Sequence, residues 1–267
     1  MPELPEVQTV VDTLKPRTLG QRIVSVLLNR SDVLTPHGFD LSGHLISRTV
    51  AAIDRRGKRI IFTLDNGNRF YIHLGMSGRL TIESPQTDLL KHTHLILEFK
   101  TFQIRFKDPR RFGGIWWLGS EEFADAKMGP EPLLIRPQQL AACLAKTRRP
   151  IKNALLDQTV IAGLGNIYVD ESLFAAGIHP LTLANDISAE KVAQLTRAIK
   201  QTLRKALRHG GSTLRDYFDA NGDAGKFQKL HAVYHRTAKK CRRCDSLIER
   251  IVLGGRSTHF CPSCQPH

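Results

Sequence analysis

The chain begins with the stretch MPELPEV (residues 1–7), on which both the fold and the chemistry depend. Chain termini are usually frayed and polar. This one combines two prolines and two carboxylates with the apolar side chains of Leu4 and Val7, a composition that favours a packed start. Apolar residues then recur every three or four positions, so the sequence predicts a helix over residues 5–15 that Pro16 ends.

The same stretch offers a nucleophile. Pro2 is small enough for an aminopeptidase to remove Met1, which leaves a secondary amine at the chain end. An α-amino group has a pKa of about 7.7–8.0, and burial or a neighbouring charge would lower that of proline's more basic amine. A secondary amine that condenses with an aldehyde gives a cationic iminium, and Glu3 is one peptide bond away to exchange protons. The alternative is an inert start in which Pro5 only opens a helix.

Charge is distributed unevenly along the 267 residues, whose formal net charge is +14. Residues 191–267 hold 16 Lys and Arg against 5 Asp and Glu, whereas residues 1–190 hold 23 against 20. A positive excess gathered in one third of the chain indicates a polyanionic partner, most often nucleic acid, although a merely basic surface is the alternative. No apolar run reaches the roughly 18–20 residues of a membrane span, and the start does not resemble a signal peptide. We therefore expect a cytoplasmic protein without a membrane partner.

Cysteine spacing predicts a metal site. Four of the five cysteines form two CxxC pairs separated by 16 residues, namely Cys241, Cys244, Cys261 and Cys264. This spacing is typical of a closed four-thiolate site for one structural Zn²⁺, which leaves no position for a catalytic water. Between the pairs, residues 248–253 and 257–260 are predicted strands joined by Gly254 and Gly255, so the metal would hold a hairpin too small for its own core. Arg256 lies at the tip of this hairpin.

The first half of the chain has the pattern of a β domain. Asp65-Asn66-Gly67 between two apolar runs is a strong hairpin signal. Many short strands with turn residues between them predict a sandwich or flattened barrel. The predicted strands are Arg22–Leu28, Leu45–Ile53, Lys58–Leu64, Arg69–Leu74, His94–Phe99, Gln103–Lys107 and Ile115–Leu118.

The pattern becomes helical after the linker-like GPEP at residues 129–132. Ser188 is a candidate N-cap of the last helix, and a loop follows over residues 219–229. The predicted helices are Gln138–Lys146, Ile151–Leu156, Ile167–Ala176 and Ser188–His209. We predict an α+β, two-domain fold with an N-terminal helix and β-sandwich over 1–130, followed by a helical part over 131–225 and a zinc finger over 226–267.

Several short stretches suit contact with nucleic acid. RRGKR (residues 55–59) places four cations at a strand start, where phosphate binding or a solvated edge strand is expected. HLGMSG (73–78) and DPRRFGG (108–114) place apolar side chains and arginines on turns, as needed to enter an unstacked base step. Burial of Met76 under another loop is the alternative. GLGN (163–166) precedes a helix, where backbone N–H groups would bind one phosphate.

Together these motifs resemble the bacterial formamidopyrimidine-DNA glycosylase family. The matching stretches run the length of the chain in order: MPELPEV, RRGK, HLGMSG, DPRRFGG, PIKNALLDQ, AGLGNIYVDESLFAAGIHP, GGSTLRDY and the two CxxC pairs. The resemblance implies an N-terminal β-sandwich, a helical domain with a helix–two-turn–helix motif and a zinc finger. The sequence departs from the family at Gln8, where Glu is usual, and at His235 and Asp245, where glycines are common.

The resemblance also implies catalytic roles. Pro2 would be the Schiff-base nucleophile, and Glu3 the acid and base at the sugar. Lys58 would donate the proton in β-elimination and Arg256 the proton in δ-elimination.

Other residues would hold the DNA. Met76, Arg110 and Phe112 would fill the gap left by the extruded nucleotide, and the loop after Asp219 would close over the flipped base. The residues implied to contact DNA elsewhere are His92, Arg148, Asn166 and Arg256.

These roles describe a bifunctional DNA glycosylase and AP lyase of base excision repair, acting on 8-oxoguanine and formamidopyrimidines. Its partner would be double-stranded DNA with oxidised bases or abasic sites, and we expect a monomer in a bacterial cytoplasm, associated with the nucleoid through DNA. One alternative is the sister endonuclease VIII-like branch, which acts on oxidised pyrimidines but usually carries Gly at the position of Leu4. Another is a non-catalytic zinc-ribbon DNA-binding protein, against which the intact catalytic set argues.

Overall fold

The computed structural model describes residues 1–120 and 127–267, and the chain divides into two units. One unit comprises Met1–Ala124 with His209–Lys226, and the other comprises Asp125–Arg208 with Phe227–His267. Every helix among the described residues is too short or too polar to cross a lipid bilayer. The sequence-based limits of the three domain segments stay predictions.

The first helix, α1, spans Leu4–Thr18 and buries its apolar face in the core of the N-terminal unit. It begins with a capping box between Glu3 and Glu6, in which the main-chain N–H of Glu3 donates to Glu6 Oε2 at 2.8 Å. The prediction that Pro16 ends this helix is wrong. Pro16 lies in the last turn, where the missing N–H removes a single helical hydrogen bond and too little helix remains to be broken.

Two sheets form the rest of the N-terminal unit. In the described residues of this unit the strands are β1 (Ser25–Leu28), β2 (Leu34–Thr35), β3 (Val50–Arg56), β4 (Arg59–Leu64), β5 (Arg69–His73), β6 (Arg79–Glu83), β7 (Thr93–Glu98), β8 (Gln103–Lys107) and β9 (Gly114–Gly119). The first sheet has the strand order β1-β7-β8-β6 and the second β2-β9-β5-β4-β3. Their inner faces share one core, to which Phe62 and Phe70 contribute from the second sheet, and Leu95 and Phe106 from the first. The predicted β-sandwich is therefore confirmed.

The predicted hairpin at residues 65–67 joins β4 to β5 as expected. Two strand predictions need correction. The stretch predicted as a strand from Leu45 begins with the end of a short helix, α2 (Leu41–Leu45), because the carboxylate of Asp40 accepts the N–H of Gly43 at 2.9 Å and caps it. Strands β2 and β6 were not predicted, although β6 pairs with β8 along its whole length.

A later segment, residues 209–226, completes the N-terminal unit. Tyr217 and Ala220 lie in its core. The carbonyl of Ala220 accepts the N–H of Ile82 in β6 at 2.8 Å. The N–H of Ala220 donates to Thr13 Oγ1 in α1 at 3.1 Å. The loop predicted over residues 219–229 ends in a single 3₁₀ turn at Phe227–Leu230.

The other unit contains the four predicted helices, each with bounds shifted by at most two residues. Ser188 caps the last one, because its Oγ accepts the N–H of Lys191 at 3.3 Å. The helices are α3 (Pro137–Leu144), α4 (Ile151–Leu156), α5 (Asn166–Ala176) and α6 (Ala189–Arg208).

The chain closes with an antiparallel hairpin of β10 (Glu249–Leu253) and β11 (Arg256–Phe260). Gly254 and Gly255 form its two-residue turn with φ of +55° and +73°. Positive φ at both positions is the geometry of a type I′ turn, which side chains disfavour and glycine permits. The hairpin has only a small apolar cluster around Phe174, so it depends on the cysteines described below.

Candidate catalytic site and nucleic-acid interface

The start of the chain is packed, as the sequence predicts. Pro2 and Glu3 are buried, whereas Met1 is 47% exposed. Burial lowers the pKa of the terminal ammonium below its usual value of 8.0, and the nearby Lys58 lowers it further against the opposing effect of Glu3 and Glu6. The chain end therefore lies within electrostatic range of Lys58 and two carboxylates.

Glu6 fixes this position. Its carboxylate is 1% exposed, and Oε2 accepts the N–H of Glu3 while Oε1 accepts the N–H of Ser212 at 2.7 Å. A Cβ on Gly211 would lie 2.7 Å from Glu6 Oε1, so only glycine permits this approach. Residues more than 200 positions apart thus hold the chain end in one place.

Lys58 lies in the tight turn between β3 and β4, one residue before the strand predicted to contain it. Gly57 has a φ of +56° at the first position of this two-residue turn, which is the geometry of a type II′ hairpin. Arg55 supports the turn, because its guanidinium donates to the carbonyl of Gly57 and to Gln8 Oε1, both at 2.9 Å. The turn leaves Lys58 only 7% exposed, as expected of a group that works in a restricted site.

His73 is a site residue that the sequence analysis missed, although it opens the HLGMSG stretch. Burial, and then the charges of Lys58 and Arg59, lower its pKa to about 4. Its Nδ1 accepts the N–H of Gly75 at 3.1 Å. His73 is therefore a neutral neighbour of Lys58 at physiological pH.

The turns at residues 73–78 and 108–114 each present an apolar side chain to solvent. Met76 is 42% exposed and Phe112 is 56% exposed. The guanidinium carbon of Arg110 lies 4.9 Å from the centre of the Phe112 ring, a cation–π distance. Such an arrangement suits stacking against a nucleobase.

Asp108 joins these two turns and was not singled out from the sequence. It is fully buried, with Oδ1 accepting the hydroxyl of Ser77 at 2.6 Å and Oδ2 accepting the N–H of Gly113 at 2.8 Å. A Cβ on Gly75 would lie 2.4 Å from the nitrogen of Gly113, so the two backbones are in direct contact. The turns that carry Met76 and Phe112 are consequently one rigid body.

His92 lies on the same unit, exposed, with a φ of +68°. It lines a cavity of about 450 Å³ together with Arg30 and Arg111. Both arginines pair with Asp32, at 2.9 and 3.1 Å. The cavity keeps a net positive charge and suits an anion.

The other unit carries the remaining predicted DNA contacts. Asn166 is the first residue of α5, and its Nδ2 donates to the carbonyl of Ser257 at 2.9 Å. Arg256 precedes Ser257 and is exposed at the tip of the hairpin, as predicted. Arg148 is exposed in the loop between α3 and α4 and shares none of these contacts.

The four clustered cysteines form a metal site. Their sulfurs all lie within 4.8 Å of one another, and three Sγ–Sγ distances are 3.4, 3.5 and 3.9 Å. A tetrahedral site with Zn–S bonds of about 2.3 Å requires sulfurs about 3.8 Å apart. The donor set therefore fits one structural Zn²⁺, bound by Cys241, Cys244, Cys261 and Cys264.

Comparison with known sequences agrees with this geometry. Three family models match in order: the formamidopyrimidine-DNA glycosylase N-terminal domain at residues 1–115, its H2TH domain at 128–217, and the zinc finger found in FPG and IleRS at 238–266. The formamidopyrimidine-DNA glycosylase of Solibacter usitatus is 44% identical over 99% of both chains. The protein belongs to the formamidopyrimidine-DNA glycosylase family. The formamidopyrimidine-DNA glycosylase of Chloroflexus aurantiacus is 42% identical over 99% of this chain and 98% of its own length.

Solved structures of the glycosylase family are similar along the whole chain. The Lactococcus lactis Fpg in complex with DNA containing an abasic site has a TM-score of 0.93 and 37% identity, over 99% of this chain and all of that one. The wild-type Lactococcus lactis Fpg in complex with DNA containing N7-benzyl-Fapy-dG has a TM-score of 0.93 and 37% identity over the whole of both chains. The family resemblance, the fold and the zinc site inferred from the sequence are thus confirmed.

The departures from the glycosylase family pattern have structural explanations. His235 and Asp245 have φ of +57° and +59°, the left-handed conformation that glycine adopts without strain. Gln8, at the usual position of Glu, keeps an oxygen that accepts a hydrogen bond from Arg55. None of these three positions is a predicted catalytic residue.

Proposed function

We propose that the protein is a bifunctional DNA glycosylase and AP lyase that removes oxidised purines from double-stranded DNA. The observation that carries the proposal is the setting of the chain's first residues, where the partly buried terminal ammonium has a lowered pKa and lies within electrostatic range of Lys58 and of the carboxylates of Glu3 and Glu6. This arrangement provides an amine that can act as a nucleophile and, around it, side chains that can donate and accept protons.

Removal of Met1 would make Pro2 the chain end. The proline nitrogen then attacks C1′ of the damaged nucleotide, the bond from C1′ to the base breaks, and the base leaves with the electron pair and a proton. Glu3 exchanges protons at the sugar as its ring opens. The product is an iminium between Pro2 and C1′, which withdraws electrons from the sugar and acidifies the proton on C2′.

Strand cleavage follows by two eliminations. Loss of the C2′ proton breaks the bond from C3′ to its phosphate oxygen, and Lys58 is the proposed proton donor to that departing group. Loss of the C4′ proton then breaks the bond from C5′ to its phosphate oxygen, for which Arg256 is the proposed donor. No metal or redox group is required by these steps, and the zinc stabilises the hairpin that carries Arg256.

The remaining residues hold and deform the duplex. A base inside a duplex is reached only after extrusion, which costs a few kcal/mol and less for a damaged base. We propose that Met76, Arg110 and Phe112 fill the space it leaves, and their common rigid support favours this role. The proposed contacts to the DNA backbone are His92, Arg148, Asn166 and Arg256, with the loop after Asp219 closing over the extruded base.

Oxidised purines are the proposed substrates because the related Lactococcus lactis complexes contain Fapy-dG or abasic sites. We further propose that the enzyme acts as a monomer in a bacterial cytoplasm.

Borohydride trapping tests this function. The protein, with removal of Met1 verified by mass spectrometry, is mixed with a duplex containing 8-oxoguanine and reduced. A covalent adduct is expected, and it should disappear when Pro2 is replaced by Gly or when a peptide tag blocks the N-terminus. The same tag fused after His267 is the matched control and should leave trapping intact. Trapping by the N-terminally blocked protein contradicts the proposal, and stronger excision of thymine glycol than of 8-oxoguanine contradicts the lesion class.

A further inference from the structure

The hairpin strand β11 has an outer edge that the fold must satisfy. It pairs with β10 on one side only, with Leu253 opposite Arg256 next to the two-residue turn. In such a hairpin the hydrogen-bonded pairs alternate, so the backbone groups of Ser257 and His259 point away from β10. Buried backbone groups need partners, and here none comes from a third strand of the described residues.

Helix α5 supplies partners for two of these backbone groups through its side chains. Asn166 Nδ2 donates to the carbonyl of Ser257 at 2.9 Å, and Asp170 Oδ2 accepts the N–H of His259 at 2.9 Å. Asn166 and Asp170 are four positions apart and lie on one face of the helix, while Ser257 and His259 are two apart and lie on one edge of the strand. The helix therefore attaches to the strand at two points.

Asp170 also forms a buried ion pair. Its Oδ1 accepts a hydrogen bond from Lys152 Nζ at 2.6 Å, and both side chains are almost without exposure, at 1% and 0%. Lys152 Nζ donates to the carbonyl of Ser257 as well, at 3.0 Å. Burying two charges is costly unless their hydrogen bonds are satisfied, and replacement by apolar residues is often neutral. A role beyond stability would account for such a pair.

A single contact lets a strand pivot, whereas two contacts fix its direction. Arg256 directly precedes Ser257, so the direction of β11 sets where the base of the Arg256 side chain lies. Asn166 and Arg256, the two proposed DNA contacts of this unit, are thereby connected through one carbonyl oxygen. We propose that Asp170, with Lys152 as its ion-pair partner, is a positioning residue that aligns Arg256 for δ-elimination and couples it to Asn166.

This inference rests on the proposed function, which assigns the δ-elimination proton to Arg256. A misplacement of about 1 Å costs up to about 100-fold in rate. Replacing Asp170 by Asn keeps the shape but removes the charge that orders Lys152 and weakens the acceptor for His259. The ratio of δ- to β-elimination product should then fall about tenfold, because Arg256 is the proposed proton donor in δ-elimination whereas Lys58 is the proposed donor in β-elimination.

The experiment is a single-turnover assay on abasic-site DNA, in which a gel separates the two products. It uses the full zinc-loaded protein, and zinc content is measured for each variant. Asp186→Asn is the matched control, because it removes an exposed carboxylate of the same unit and should leave the product ratio unchanged. The double variant Lys152→Met with Asp170→Asn removes both buried charges, so it stays informative if the single variant does not fold.

Hydrogen exchange gives a second readout that does not need catalysis. The backbone amides of residues 256–260 should exchange faster in the Asp170 variant than in the parent protein. A folded, zinc-loaded variant with the parental product ratio overturns the inference. Failure of the parent protein to form a borohydride adduct instead overturns the proposed function, and the exchange measurement then still tests the attachment of β11.

Discussion

Replacement of Asp108 by Ala should cost the N-terminal unit about 4 kcal/mol of stability. The carboxylate accepts two short hydrogen bonds, from the Ser77 hydroxyl at 2.6 Å and from the Gly113 N–H at 2.8 Å. Bonds to a charged acceptor contribute about 1.5–3 kcal/mol each, and their loss leaves buried donors unpaired. The Arg110 N–H lies 3.3 Å away and adds little. Asp108→Asn keeps one acceptor oxygen, so it should cost about half as much.

Urea unfolding measures this effect directly. Both tryptophans, Trp116 and Trp117, lie in β9, which follows the second of the two turns that Asp108 joins. Their fluorescence therefore reports the unfolding of the N-terminal unit. Asp65→Ala is the control, because it removes one exposed hydrogen bond from the Thr49 N–H at 3.1 Å and should cost less than about 1 kcal/mol. A loss below about 1 kcal/mol for Asp108→Ala would refute the claim that Asp108 joins the two turns.

Three further predictions concern acid, metal and the exposed aromatic ring. The pKa of His73 is about 4 in the folded protein and about 6.5 in the unfolded chain, so the unfolded chain binds the proton first as the pH falls. The free energy of unfolding should therefore decrease by up to about 3 kcal/mol as the pH falls from 6.5 towards 4. His73→Asn should flatten this dependence in acid titrations followed by tryptophan fluorescence; an unchanged slope speaks against it. Chelation of zinc, or Cys244→Ser, should unfold the hairpin and weaken DNA binding in a mobility-shift assay without altering tryptophan fluorescence; full affinity in the metal-free protein is the opposite outcome. Phe112→Ala should slow excision from duplex DNA by about 10- to 100-fold, since stacking on a base contributes about 1–3 kcal/mol. Val24→Ala, which truncates another exposed apolar side chain of the same unit, should leave the excision rate unchanged. Equal rates for the two variants would argue against a role of Phe112 in filling the space left by the extruded base.

Local patterns were readable from the sequence because their causes are local. The cysteine spacing predicts the metal site, and the glycine pair at residues 254–255 predicts the turn beside Arg256, since both depend on neighbours along the chain. The Ser188 cap likewise predicts the start of α6 to within one residue.

Long-range contacts account for what the sequence did not reveal. The Asp108 carboxylate reaches Ser77 across 31 positions, and Glu6 meets Ser212 across 206. Neither bond leaves a periodic pattern, because each depends on how distant backbones approach. The family resemblance pointed to Lys58 but not to the partly buried His73 near it, because the pKa of His73 is set by its surroundings rather than by its residue type.

The central claim is that the amine at the front of this chain is the nucleophile. Its most direct test is peptide mapping by mass spectrometry of the borohydride-reduced adduct with DNA containing 8-oxoguanine. We expect the DNA remnant to be attached to an N-terminal peptide that lacks Met1 and begins at Pro2. Attachment to a lysine, whether Lys58 or any other, would contradict it.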